Sequence, residues 1–445
     1  MPMLTILGGG PGGLAAAYFA RKAGLRFQLL EAQPRVGGNA VTFQEGDFRF
    51  DSGAHRLHDQ DPEMTAEVRG LLGEDLLECS VPSQIFHDGQ WVDFPLSPLS
   101  LWRALGARTC LRGALDVARA RLAPRALDPS FKQHALGRYG REFAQRFLLS
   151  YSEKLWGLPC EQLSPHISGA RLKGLDATTF LLEALGLHGG KTRHLDGRFY
   201  YPRLGFGMIA EALADSAGRE NILLDTKVTR IFHDGAKVTA LEVNGQRRLP
   251  VDSVISSLPL TVWLRSMQPA PQPELLAVAA SLRFRSVVLV ALFLRKSSVS
   301  RHGSVYFPDP SFQMTRVYEP KNRSAAMAPA EQTMLAVELP CGAQDALWQT
   351  PDAALLALVQ RQLAGLGWFS PQEVLGGCVK RLPFAYPVLE HGFEAKVAQL
   401  QAGLKPLRNV IFAGRNGRFQ YTHMHDMLRF GKDAVAQVQR DLPAR

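Results

Sequence analysis

The stretch "MLTILGGGPGGLAAAYFARKAGLRFQLLEAQPRVGGNA" (residues 3–40) holds the fold of this protein in its glycines and its two apolar runs. "MLTIL" (3–7) predicts a short buried strand, "PGGLAAAYFARKAG" (11–24) a helix, and "RFQLLEA" (26–32) a second strand. Pro11 suits the first helical position, where a missing N–H costs nothing, and Gly24 suits the helix end. Between strand and helix, Gly8, Gly10 and Gly13 keep GxGxxG spacing around Pro11 and Gly12. One glycine makes the tight turn, one lets the backbone approach a pyrophosphate, and one permits close helix–strand packing. The helix N-terminus behind the turn offers N–H groups and a partial positive charge to phosphates. Glu31 follows Gly13 by 18 residues, at the end of the second strand, where a carboxylate accepts hydrogen bonds from ribose hydroxyls. A dinucleotide site in an α/β domain is the expectation.

The residues that follow narrow the dinucleotide. "EAQPRVGGNAVTF" (31–43) sets Gly37 and Gly38 six and seven positions beyond Glu31. This resembles the ExxxxxGG extension of the large FAD family that includes amine oxidases, protoporphyrinogen oxidase, phytoene desaturases and UDP-galactopyranose mutase. The resemblance implies FAD rather than NAD. It also implies a Rossmann-like FAD domain of the glutathione-reductase type, carrying an inserted α+β substrate domain. Around the glycine pair, Ala32, Arg35 and Asn39 are then expected at the cofactor. "FRFDSGAHRLHDQDPEM" (48–64) is similar to the family's segment along the flavin ring, which brings in Gly53, Ala54 and His55. "TKVTRI" (226–231) looks like the strand beside the adenosine half, with Val228 at the backbone-contact position. "VISSLP" (254–259) resembles the turn that closes the FAD domain. "FAGRNGRFQY" (412–421) matches the family's final strand–loop–helix, so Gly414, Arg415, Tyr421 and Met424 are expected at the flavin. That loop holds no cysteine, so the resemblance implies a dissociable, non-covalent FAD.

Two segments point to a branch. "FLLSYSEKLWGLPCEQLSPHISGARL" (147–172) and "GRNGRFQYTHMHD" (414–426) resemble UDP-galactopyranose mutase and, more closely, the mutase-related flavoproteins of protoporphyrinogen-oxidase type. "GAHRLH" (53–58) resembles the mutase's Gly-x-His-x-x-His segment, whereas Asn416 stands where the mutase loop usually has leucine. The resemblance makes Trp156, Arg171, Tyr201, Tyr386 and Arg415 candidates for binding substrate. It makes His55, Arg415, Tyr421 and His423 candidates for catalysis. His55 suits acid/base work because an imidazole titrates near neutral pH, or it is a hydrogen-bonded structural histidine of the glycine turn. Trp156 either caps a substrate ring or fills the domain interface. The implied activity is hydride transfer from a small-molecule or glycoconjugate-related substrate to flavin N5. The alternative is redox-neutral isomerisation of a nucleotide sugar, with reduced FAD as nucleophile. A non-catalytic binding protein of the same fold is a third reading, and the intact Glu31 and Gly37–Gly38 count against it.

Bulk properties set outer limits. A chain of 445 residues with 46% hydrophobic and 21% charged residues reads as a globular protein of more than one small core. The longest apolar runs, such as "VVLVALFL" (287–294), are of strand length. No signal peptide is expected, since "MLTILGGG" lacks a basic lead and a cleavage site. Five scattered cysteines without CxxC spacing fit a reducing cytoplasm and no metal site. The expected order is FAD-domain segments at 1–80, 196–265 and 396–445. A mainly helical segment at 81–195 and substrate-domain strands and helices at 266–395 would be inserted between them. Part of the net charge of +10 lies in 101–127, where six arginines meet only Asp116. That segment suits either an anionic lipid surface or phosphorylated substrate, or a solvated helix pair. No aromatic-and-basic reader motif accompanies the charge, so nucleic acid is not expected.

Overall fold

The computed structural model describes residues 3–94, 96, 98–122, 127–168 and 198–441; the candidate substrate residue Arg171 lies outside them. Strand Leu4–Leu7 is buried at every residue because it runs in the middle of a five-stranded sheet. Its neighbours are Phe27–Leu30 on one side and Ser253–Ser256 on the other, and Val410–Phe412 and Ile222–Leu223 form the edges. All four pairings are parallel, with Leu4 opposite Phe27 and Ser253. Parallel strands are covered on both faces, which explains the unbroken apolar runs.

Helix Pro11–Lys22 begins on Pro11 and is buried from Pro11 through Ala20. Such depth on a ten-residue face requires cover on two sides. The sheet supplies one. The last helix, Met424–Asp441, supplies the other, and an added Cβ on its Gly431 would meet the Ala15 Cβ at 2.6 Å. Small residues on both helices therefore bring the two ends of the chain into direct contact. Leu14, Phe19, Ile209, Leu213, Leu428 and Val435 belong to the core this makes. The turn signals at 233–235 and 244–245 separate strands Val228–His233, Val238–Val243 and Arg247–Pro250, with Gly235, Asn244 and Gly245 at positive φ.

A second, seven-stranded sheet faces the first domain. Its order is Val374–Pro387, Phe284–Leu294, Thr333–Cys341, Arg316–Tyr318, Ser304–Tyr306, Ser83–His87 and Gln90–Phe94. Along Phe284–Leu294 the period-two rule sorts the side chains. Val288, Val290 and Leu292 pack toward helix Asp352–Ala364, while Val287, Leu289 and Ala291 pack toward Phe50 and Ala54. The run "VVLVALFL" is apolar throughout because both faces are covered. The hairpin Ser83–Phe94 departs from the helical character expected of 81–195. It pairs with Ser304–Tyr306 and so belongs to the substrate-side sheet. Its polar and aromatic alternation is that of an edge hairpin.

Candidate functional site

The glycine turn is built as a cradle. Gly8 (φ 92°) turns the chain, and its N–H donates to the Leu30 carbonyl at 2.8 Å. An added Cβ on Gly13 would stand 1.9 Å from the Gly8 carbonyl oxygen, so only glycine lets the helix sit this close to the strand. Glu31 is buried and accepts from the Gly9 N–H at 2.5 Å and the Gln33 N–H at 2.8 Å. These bonds fix its carboxylate at the rim of the turn and leave it lone pairs for hydroxyl donors. Gly37 (φ 97°) donates to the Gly9 carbonyl at 2.8 Å, and an added Cβ on Gly38 would lie 3.1 Å from Gly10 Cα. The second glycine pair thus leans directly on the first turn. Arg35 braces that contact by donating to the carbonyls of Val36 (3.2 Å) and Gly38 (3.1 Å).

The far end of the chain completes the cradle. An added Cβ on Gly12 would meet Gly414 Cα at 2.7 Å. Short helix Gly414–Arg418 follows strand Val410–Phe412 as the expected strand–loop–helix requires. Asn416 donates to the Phe384 carbonyl at 3.0 Å, and Asn39 reaches the same oxygen at 3.2 Å. The amide at 416, where leucine was the comparison, therefore ties the cradle to the second sheet.

A cavity of about 640 Å³ runs from this cradle between the two sheets. Its wall includes Gly8, Gly10, Pro11, Gly12, Glu31 and Ala32 from the dinucleotide turn, then Gly38, Asn39, Ala54 and His55. From the C-terminal loop come Gly414, Arg415, Tyr421, His423 and Met424, and from the inserted segments Trp156 and Tyr386. Five expected cofactor residues stand behind the wall instead. Gly13, Arg35 and Gly37 shape the turn as described, and an added Cβ on Gly53 would lie 3.4 Å from Glu338 Oε1 and 3.6 Å from His55 Nε2. Val228 opens the strand that follows Thr226, whose N–H donates to the Glu31 carbonyl at 2.8 Å, and it faces the neighbouring core.

Tyr201 corrects the sequence expectation. It is fully buried, away from the cavity, and donates its hydroxyl to Asp51 Oδ2 at 2.6 Å. Asp51 is itself buried and also accepts from Thr42 Oγ1 (2.6 Å) and the Phe206 N–H (2.8 Å). Burial pushes the Asp51 carboxyl up, and these three donors oppose that rise. Tyr201 is a core anchor, not a substrate contact.

His55 is held by hydrogen bonding and stacking. Its Nε2 lies 3.0 Å from Ser52 Oγ, and its ring stacks on Phe206 at 5.0 Å and 21°. Burial, then the positive charges of Arg415, Arg316 and Arg323, push its pKa down to about 3. These effects favour the neutral imidazole.

Three aromatic rings frame the cavity beside the cradle. Trp156 meets Tyr421 at 5.5 Å and 77°, and Tyr386 at 6.0 Å and 65°. The Arg415 guanidinium sits 5.5 Å from the Tyr421 ring and 5.7 Å from Tyr386. It donates to the Ala385 carbonyl at 3.2 Å and to the Thr422 carbonyl. Burial and the nearby Glu338 charge push the Tyr386 phenol up to about 12. His423 lines the wall, whereas His425 is buried behind it, with the two rings stacked at 5.8 Å.

Sequence reasoning passed over a buried ion pair. Arg316 Nη2 lies 2.7 Å from Glu338 Oε1 and its Nε 3.0 Å from Oε2, a two-pronged contact within the cavity wall. Glu338 Oε1 also accepts from the Ala54 N–H at 2.8 Å, and so fixes the segment that carries His55. The signal was a lone glutamate in the strand "TMLAVELPC", whose nine residues are all buried.

The cradle has the chemistry of a flavin dinucleotide site: glycines where a Cβ would fill the groove, a carboxylate at the ribose position, and a helix N-terminus at the pyrophosphate position. A sequence model of the flavin containing amine oxidoreductases matches residues 11–439. Phytoene dehydrogenase of Streptomyces griseus is 25% identical over 61% of this chain, which spans 57% of that protein's length. Coproporphyrinogen III oxidase of Bacillus subtilis (strain 168) is 21% identical, covering 98% of this chain and 97% of its own. Among solved structures, a reduced UDP-galactopyranose mutase superimposes with a TM-score of 0.86 at 18% identity, covering 100% of this chain and 97% of the other. At that identity the likeness speaks for the fold. The chain belongs to the flavin containing amine oxidoreductase family, and its cofactor is FAD.

Proposed function

We propose that the protein oxidises a largely apolar small molecule by hydride transfer from a substrate C–H. Bound FAD supplies the two-electron acceptor for that chemistry. Gly8, Gly10 and Gly12 with the helix N-terminus would hold its pyrophosphate, Glu31 its ribose, and Ala54, His55 and the Gly414–Arg415 backbone its ring.

The observation that carries the reading is how the cations in the described part of the cavity wall are employed. Arg316 is committed to Glu338, Arg415 to two backbone carbonyls, and Arg56 to Ser83 Oγ at 3.0 Å. Beyond the three aromatic rings, the described wall includes Ile85, Phe94, Phe147, Leu148 and Tyr306, with the polar His58, Gln60, Tyr151, Ser152 and Ser168 among them. A diphosphate would need arginine forks directed at it, whereas an apolar substrate gains from these surfaces alone. Trp156, Tyr386 and Tyr421 then orient the substrate and exclude water, which is the protein's main contribution to such a transfer. His55, with the neutral imidazole favoured, would position by hydrogen bonding.

The likeness to the reduced mutase favours a second reading, redox-neutral isomerisation of a nucleotide sugar. Anaerobic mixing separates the two. Oxidation predicts that an apolar substrate alone bleaches the flavin. If dithionite-reduced protein instead isomerises a nucleotide sugar while apolar substrates leave the oxidised flavin unchanged, the first reading fails.

A further inference from the structure

Helix Pro98–Leu122 presents a face that the site does not use. Gly106 (φ 77°) kinks it, and the remainder runs on as a single helical stretch. Its inner side is fixed by close packing. An added Cβ on Gly113 would meet Phe143 Cζ at 2.3 Å, and one on Gly140 would meet the Val117 nitrogen at 2.8 Å. Helix Phe131–Phe143 therefore covers that side. Leu101 packs with Ile85 and Phe147, two residues that also line the cavity.

The outer side is apolar. Leu111, Leu115 and Leu122 stand four and seven residues apart and share one face; they are 64%, 48% and 89% exposed. Trp102, ahead of the kink, is 55% exposed. Arg108, Arg112 and Arg119 repeat the same spacing as a neighbouring stripe, and Arg103 and Arg121 add to it. Five arginines against Asp116 alone leave four net positive charges on this helix.

We infer that this face docks on the surface of an anionic lipid bilayer. Leucines in line, exposed to water, are costly, and the head-group boundary accepts them. The flanking arginines meet lipid phosphates while their stems lie along apolar surface. The same charge opposes the other obvious occupant, since a second copy would set four positive charges against four. No helix among the described residues is long and apolar enough to cross a membrane, so the contact lies along the surface. Docking would put the apolar end of the cavity one helix diameter, about 10 Å, from the lipid.

Flotation of the full-length, FAD-loaded protein tests this with vesicles of phosphatidylcholine, with and without phosphatidylglycerol. Binding is expected on the anionic vesicles and roughly tenfold weaker, or more, on the neutral ones. The Leu111→Glu/Leu115→Glu variant should lose binding and keep its flavin content. Arg108→Gln/Arg112→Gln/Arg119→Gln should bind weakly and lose most of the salt dependence. The inference is overturned if the wild type stays with the unbound protein on anionic vesicles, or if either variant binds as tightly as the wild type. It is equally overturned if the leucine substitutions act only by dissociating a dimer that never floats.

Discussion

Gly12 and Gly414 meet backbone to backbone: a Cβ added to Gly12 would stand 2.7 Å from Gly414 Cα and 3.0 Å from its nitrogen. Neither side of this contact is a flexible side chain, so the backbone itself must move to admit a methyl group. Gly12→Ala should therefore cost about 1–3 kcal/mol and lower flavin occupancy. Gly13→Val, which collides with the Gly8 carbonyl, should abolish flavin retention. The ratio of flavin to protein absorbance in the purified variants checks both. Full occupancy in Gly13→Val would mean that the pyrophosphate lies elsewhere.

His55 gives a pH signature with a definite sign. In the unfolded chain a histidine titrates near ~6.5, and in the fold His55 is held down to about 3. Below pH ~6.5 the unfolded state takes up a proton that the folded state refuses, so stability falls with pH through that window, by at most ~1.4 kcal/mol per unit. His55→Gln should flatten the fall in thermal midpoint between neutral and mildly acid pH. An unchanged slope would show that His55 charges in the fold.

The Arg316–Glu338 pair should behave as a buried ion pair does. Glu338→Gln leaves the Arg316 charge uncompensated and should cost about 3–5 kcal/mol in urea unfolding. Replacing both, as Arg316→Met with Glu338→Leu, should recover most of that loss. A single variant within ~0.5 kcal/mol of wild type would mark the pair as solvated.

The aromatic frame predicts a split between ring and hydroxyl at Tyr421. Tyr421→Phe keeps the contact with Trp156 and should stay close to wild-type turnover. Tyr421→Leu removes it and should lower kcat/KM by about tenfold. Steady-state kinetics with the bleaching substrate decide this, and equal losses in the two variants would give the hydroxyl the larger part.

What the sequence made legible was local. The Gly8–Gly13 turn, Glu31 and the Gly37–Gly38 pair sit within one strand–helix–strand unit, where spacing alone fixes geometry. What it hid depends on partners far apart in the chain. Tyr201 looks like its neighbour Tyr200, yet only strand alternation against Leu76–Ser80 decides which of the two turns into the core. The pairing of Arg316 with Glu338 requires strands Arg316–Tyr318 and Thr333–Cys341 to be neighbours. The low basicity of His55 arises from burial first and then from the charges of Arg415, Arg316 and Arg323, none of them encoded near "GAHRLH". The hairpin at Ser83–Phe94 went unseen because its partner strand lies more than two hundred residues downstream.

The convergence of both chain ends on one non-covalent FAD is tested most directly by flavin content in the wild type and in Gly414→Val. Gly414 has φ 74° and an added Cβ would crowd Ser257 Cβ at 3.3 Å, so valine is strained there. The expected result is a yellow wild type whose flavin passes wholly into the filtrate after denaturation, and a Gly414→Val protein that is folded by circular dichroism but colourless. A wild type that takes up no FAD on titration, or a folded Gly414→Val with full flavin, would contradict the account.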